Sequence, residues 1–423
     1  MDGTGPSEPR ITRPWSGPPE RAMKLAQRSR GRDGQQGERD ASLPLLRWVP
    51  AVAAATLLGL VLSGGCNLMT GAGNIEVGDG GNGTAASGGS GNTGNVGNGG
   101  SGGSPPPQCQ PACGSHQHCE MQTMTCQCDP GWTEQGNTCV AVPPGDPTQR
   151  TAVEVCQQWQ AGNTITTPDC LVANGQPCDA GYLQQGALVD TVARINMFRW
   201  LCGLGPCGDD AGMDASAQLC ANLEAWYTWQ GGSPHNPQPS DSQCWTAEGA
   251  STAGQSNIAW GSGHPAQAIT QFMEDGGNAT TMGHRRWILN PPLDPVGIGY
   301  WSGGGQYGDG MCLMVFSGGG QGPFPPWVAV PNQGITPIDY AQWTWTFHGS
   351  MGGVPTATIT MLRVDDNTPL AVNVQQLSQG YGQDCISWTP SGWSPQAGMT
   401  YRVTVGGLTG GDVTYDVKPV TCN

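Results

Sequence analysis

Seventeen cysteines in 423 residues constrain this chain more than any other feature. A reducing cytosol does not favour so many thiols, whereas exported proteins use them as covalent staples for modules with small cores. They divide into one, six and ten. Cys66 stands alone at the end of an apolar run. Cys109, Cys113, Cys119, Cys126, Cys128 and Cys139 crowd into 31 residues, and the other ten run from Cys156 to Cys422. With Cys66 set apart, the even remainder predicts eight disulfides and no free thiol. Cys385 and Cys422 are the only cysteines beyond residue 324, so they are expected to pair. The eight from Cys156 to Cys312 are expected to make four bridges.

A chain this long exceeds one ordinary core, and its uneven composition divides it into modules. Residues 1–65 read as a leader. Up to Arg47 the leader is polar, with nine Lys and Arg against six Asp and Glu, and Met23-Lys24 is a second candidate start of translation. An apolar run, Val49 to Leu62, follows; it is short for a bilayer span of about 20 residues. A basic flank, a short apolar core and small residues make a secretory signal. With Cys66 closing it, the segment resembles a bacterial lipoprotein signal, although Ser63 stands where such signals carry Leu. That resemblance implies diacylglycerol on the Cys66 thiol and a mature chain starting there. The alternative is an uncleaved membrane anchor. Either way the protein is exported and membrane-tethered, at the cell surface or in the outer membrane and periplasm. Residues 66–107 are a Gly-, Ser- and Asn-rich linker with too little apolar surface to fold. From residue 48 onward there are 26 acidic and eight basic residues, Lys418 being the one lysine. Such an acidic body repels phosphate backbones, which excludes nucleic acid as a partner.

Within 108–140, "CQCDPGWTEQGNTC" combines C-x-C, a Gly131-Trp132 turn and a closing cysteine. This segment resembles an EGF-like module. The resemblance implies first–third, second–fourth and fifth–sixth pairing. The acidic residues of calcium-binding members are missing before Cys109, so no calcium is expected there. Residues 141–184 are Pro- and Gln-rich and read as a loop-rich lead-in. Helical spacing then marks "ALVDTVARINMFRWLCGL", with Leu188, Val192, Ile195, Phe198 and Leu201 on one face and Gly203 as the stop. A second helix is expected from an Asp214 N-cap to Gly231-Gly232, and a third from Pro265 to Gly276. "VGIGYW" and "MCLMVF" read as short strands. Beyond residue 324 the pattern turns to β: "YAQWTWTF", "TATITMLRV", "LAVNV", "CISW", "TYRVTV" and "VTYDVKPV" follow at the spacing of a sandwich.

Four motifs in 185–322 carry a second resemblance. "VARINMFRWLCGL" is similar to the N-x-x-R-x-x-x-G-L opening of the CAP superfamily, "SPHNP" to its first histidine and "SNIAWG" to its E-N-I-A turn. "GHRRWILNP" is similar to its bacterial G-H-R-x-N-I-L-N-P signature. The expected architecture is therefore multidomain. An α-β-α sandwich of the CAP (SCP-like) kind at 185–322 is preceded by the EGF-like module and followed by an all-β immunoglobulin- or fibronectin-like sandwich at 324–423.

The resemblance implies a cleft in which two histidines and two acids hold a divalent cation. The histidines are His235 and His284, and one acid is Asp275, with Glu274 beside it. The other acid belongs immediately before Asn257, where this chain has Ser256; Glu248, eight residues earlier, is the candidate substitute. Neutral imidazoles and carboxylates suit Zn2+ or another divalent cation. The plainer alternative for this segment is that His284 caps a helix or bridges carbonyls and that Arg285 and Arg286 make surface ion pairs. No motif places a nucleophile: Ser256 lacks an elbow context and no H-E-x-x-H helix exists. The expected function is accordingly a non-catalytic ligand- or metal-binding and interaction protein, and family resemblance adds small apolar ligands or a surface protein as partners. A metal-dependent hydrolase using the His/Asp cleft and an adhesion protein with the CAP part as scaffold are the alternatives.

Overall fold

The structure is a computed structural model that describes residues 109–422, apart from 111, 121, 230, 231 and 306. The leader and signal of 1–65, the lipid site at Cys66 and the linker 66–107 lie outside the described residues.

The first module is two hairpins, β1 (Gln117–Glu120) with β2 (Thr125–Cys128) and β3 (Trp132–Gln135) with β4 (Thr138–Ala141). Its bridges are Cys109–Cys119, Cys113–Cys126 and Cys128–Cys139. The segment buries so few side chains that these bridges take the place of a core. Its turn docks on the next domain: Asn196 Nδ2 donates to the Pro130 carbonyl at 2.7 Å. Gly131 has φ 92°, and a Cβ there would lie 2.7 Å from Pro206 Cβ.

The lead-in is not merely loop. Helix α1 (Ala152–Asn163) opens with a capping box, in which Thr151 Oγ1 accepts the Glu154 amide and Glu154 Oε2 accepts the Thr151 amide. Only Val155 and Gly162 of this helix are buried, too few for an apolar stripe to reveal it. Gly162 is needed for packing, because a Cβ there would fall 2.4 Å from Met197 Cβ. A short hairpin, β5 (Leu171–Val172) with β6 (Tyr182–Leu183), leads to α2 (Gln185–Leu201).

Next come α3 (Ala211–Ala225), α4 (Ala247–Ala253), β7 (Ser256–Ala259), α5 (Pro265–Glu274), α6 (Gly283–Ile288), β8 (Gly297–Gly304) and β9 (Gly308–Met314). Helix α3 starts a turn earlier than expected. Its N-cap is Asp210, whose Oδ1 accepts the Gly212 and Met213 amides, while Asp214 accepts the Ile298 amide of β8. Strands β7-β9-β8 form an antiparallel sheet. Its two faces follow from period-2 alternation. Gly297, Gly299 and Gly310 let α3 come so close that Cβ atoms on the last two would meet helix backbone within 2.6 Å. Ile298, Tyr300, Met311 and Leu313 point the other way, into the core shared with α2 and α5. The sheet is thus a filling between two helical layers.

The C-terminal part comprises β10 (Trp327–Val330), β11 (Gly334–Pro337), α7 (Ile338–Ala341), β12 (Trp345–Gly349), β13 (Thr358–Arg363), β14 (Thr368–Leu370), β15 (Val372–Gln376), β16 (Asp384–Pro390), β17 (Tyr401–Gly406) and β18 (Val413–Val420). Sheets ordered β10-β12-β16-β15 and β11-β18-β17-β13-β14 enclose a core containing Trp345, Phe347, Trp388, Tyr401 and Val403. Val328, Val330 and Tyr340 instead join the core beneath α2 and α5, so the two parts share a wall.

Two cysteine expectations fail. Cys422 pairs with Cys156 rather than with Cys385. The cause is topological: β18 runs parallel to β11, which packs on α1, whereas Cys385 sits in the opposite sheet. Cys178–Cys244 and Cys220–Cys312 complete the bridges, and Cys170, Cys202, Cys207 and Cys385 are buried free thiols. Burial pushes the thiol of Cys202 up to about 11 and those of Cys207 and Cys385 up to about 12, which suppresses the thiolate through which they would react. The bridges are those of a protein folded in an oxidising compartment. No helix among the described residues is long and apolar enough to cross a membrane.

Candidate functional site

Helix α5 ends where Asp275 takes a left-handed backbone, φ 54°, a conformation that Asp tolerates better than most residues. This turns its carboxylate, 2% exposed, toward the start of α6. Asp275 Oδ1 meets His284 Nδ1 at 2.9 Å, and Oδ2 accepts the Arg285 amide at 3.3 Å. A carboxylate only accepts, so Nδ1 of His284 carries the proton and Nε2 is left as the basic nitrogen. The Phe272 ring packs on the imidazole with centroids 5.0 Å apart.

His235 comes from the loop between α3 and α4. Its Nδ1 lies 3.0 Å from the carbonyl of Ala253, which again fixes the proton on Nδ1 and frees Nε2. Burial lowers its basicity, the Ala253 carbonyl opposes that change, and the nearby His284 adds to it. The two histidines converge on one short stretch of backbone: His235 bonds Ala253, and the His284 carbonyl accepts Asn257 Nδ2 at 3.0 Å.

The structure therefore brings together His235, His284 and Asp275, but in unequal roles. Asp275 is committed to orienting His284, as a carboxylate behind a metal-binding imidazole is. Glu248 does not join them. It is exposed in the first turn of α4, and its Oε1 accepts Ser216 Oγ at 2.8 Å. Ser256 is buried with its hydroxyl donated back to the Thr252 carbonyl at 2.8 Å. Among the described residues, no set of three that includes these histidines brings its donor atoms within 4.8 Å of one another. What the structure holds here is a pair of imidazoles, each anchored through Nδ1.

The arginines beside His284 are not surface ion pairs. Arg285 donates to the carbonyls of Met273, Glu274 and Thr344 and to Thr346 Oγ1. Arg286 donates to Thr281, Ser378 and Gln383 carbonyls and to Gln379 Oε1. Both are buried, which lowers their pKa. They rivet α6, and with it His284, to the β-sandwich. Arg199 acts alike on the "WILNP" turn, donating to the carbonyls of Ile288, Asn290 and Pro291. The motif arginines are thus architectural.

A separate open cleft of about 700 Å³ is lined by Cys170, Leu171, Tyr300, Trp301, Tyr307 and Asp309, among others. Asp309 is held by the Gly261 and Gly263 amides and the Tyr300 hydroxyl, so it shapes the cleft wall. Comparisons with family models, with curated proteins and with solved structures gave no match to this chain.

Proposed function

We propose that this chain is an exported, membrane-tethered binding protein of the CAP superfamily, flanked by an EGF-like module and an immunoglobulin-like sandwich. Its functional centre is the cleft of His235 and His284, which takes a divalent cation of the zinc class. One observation carries this reading: two imidazoles from different elements are each anchored through Nδ1, so Nε2 is the ring nitrogen each has left to offer a ligand, and both rings are held in place. Ordering them in advance lowers the entropy lost when a metal binds. With two nitrogen ligands and no placed nucleophile, the site suits reversible binding better than turnover.

Calorimetry with zinc on the full chain tests it. Wild type is expected to bind one ion, with affinity falling on acidification because protons compete with the metal for the imidazole nitrogens. His235→Ala and His284→Ala are each expected to abolish binding. Ser256→Glu adds a carboxylate and should tighten it. Equal binding by wild type and His235→Ala would sink the assignment.

A further inference from the structure

The loop that follows α3 folds back on the helix end. Tyr227 pairs with Ser242, Ser242 Oγ donates to the Leu223 carbonyl at 2.8 Å, and Thr228 N and Oγ1 both donate to the Asp241 carbonyl. These bonds bring Tyr227 and Asp241 to the helix end that carries Glu224. Glu224 is 0% exposed, and neither carboxylate oxygen has a partner. Tyr227, 1% exposed and one helical turn on, has an unpartnered hydroxyl. Asp241 is 5% exposed, and its Oδ2 accepts the Gln238 amide. A Cβ on Gly232 would lie 2.8 Å from Asp241 Oδ2 and 2.9 Å from Tyr227 Oη, so both oxygens border the same small space.

A bare carboxylate sealed from water is costly, and buried charges are normally paired or bound to a metal. Among the described residues no lysine, arginine or histidine forms an ion pair with Glu224 or Asp241. Burial, reinforced by Asp241, pushes the Glu224 carboxyl well above the usual carboxylate range, as expected of an acid lacking its counter-ion. Oxygen donors of this kind are hard ligands, and they select calcium over zinc.

We propose that Glu224, Asp241 and Tyr227 form a calcium-class cation site that pins Asp241 and Ser242 to the end of α3. The site is distinct from the two-histidine cleft in both residues and donor chemistry. Its oxygens supply two negative charges and a neutral dipole, and backbone carbonyls and water complete the shell. Trp229 takes a strained left-handed backbone, φ 52°, and packs edge-on against Tyr227 with centroids 5.2 Å apart. That contact sets two aromatic donors beside the ion.

Terbium(III) reports on such a site because neighbouring Tyr and Trp sensitise its emission. Titrating the full chain with Tb3+ should give saturable emission that Ca2+ displaces. Glu224→Gln should weaken Tb3+ binding by about tenfold or more, since affinity follows ligand charge. A His235→Ala/His284→Ala double variant should keep the signal. In the His235→Ala/His284→Ala background, EDTA should lower the melting temperature, and it should not do so once Glu224→Gln is added. Should Glu224→Gln fail to fold, Asp241→Asn carries the same expectation. No sensitised emission, emission unchanged by the carboxylate variants, or emission lost in the histidine double variant would each overturn the proposal; the first means that Glu224 is a protonated acid bridged by water.

Discussion

His348 lies in β12 with its side chain enclosed, and its Nε2 meets Thr346 Oγ1 at 2.7 Å. Burial holds its pKa well below 6.5, and the neighbouring Arg286 and Arg285 push it the same way. The unfolded chain therefore takes up a proton near about pH 6.5 while the folded chain does not. The stability this residue contributes is complete above that pH and is lost as pH falls below it. His235 and His264 are shifted in the same direction by burial. Denaturant midpoints should accordingly drop between about pH 7.5 and 5, and drop less in His348→Gln. An equal drop in both proteins would remove His348 from the account. At the residue scale, motif order singles out His235, His284 and Asp275, and the structure sets His284 against Asp275. Sequence did not tell that Asp275 would stand behind His284 instead of beside it. That follows from the left-handed turn ending α5, a backbone property that no side-chain pattern encodes.

Among the elements, α1 is the instructive case. Its apolar content is low, so periodicity gave no stripe and the segment read as loop. Yet Thr151-x-x-Glu154 was a start signal visible in the sequence. Thr151→Ala should lower stability by about 1 kcal/mol, the usual cost of losing an N-cap. Thr151→Ser should restore most of it. Matched urea melts decide: a lower midpoint at unchanged slope for the Ala variant alone is the expected outcome. Most strands beyond residue 345 were legible because alternation survives even in short runs, but β10 and β11 were not, "YAQWTWTF" begins in α7 rather than in a strand, and pairing stayed hidden. That β11 lies parallel to β18 depends on the chain path through α7, and strand sequences are silent about partners.

At the scale of the whole molecule, the middle domain and the sandwich are joined by a shared core, by the Arg285 and Arg286 contacts and by one long-range bridge. The sequence reading drew a boundary near 322–324 and assigned cysteines within modules. It could not anticipate a bridge across that boundary, because spacing carries no information about pairs 266 residues apart. Cys156→Ala with Cys422→Ala should cost about 2–5 kcal/mol and bring the two parts closer to independent melting. Calorimetric scans of wild type and the double variant check this, and superimposable scans would deny the bridge a role.

The Cys156–Cys422 bond also makes the described chain beyond α1's second turn a closed covalent circuit. A protease that cuts one exposed loop anywhere inside it opens the ring without shedding a piece. Limited digestion should therefore leave full-mass protein on a gel run without reductant and fragments on one run with it. A single nick in the ring thus changes how the chain is connected and sets no part of it free.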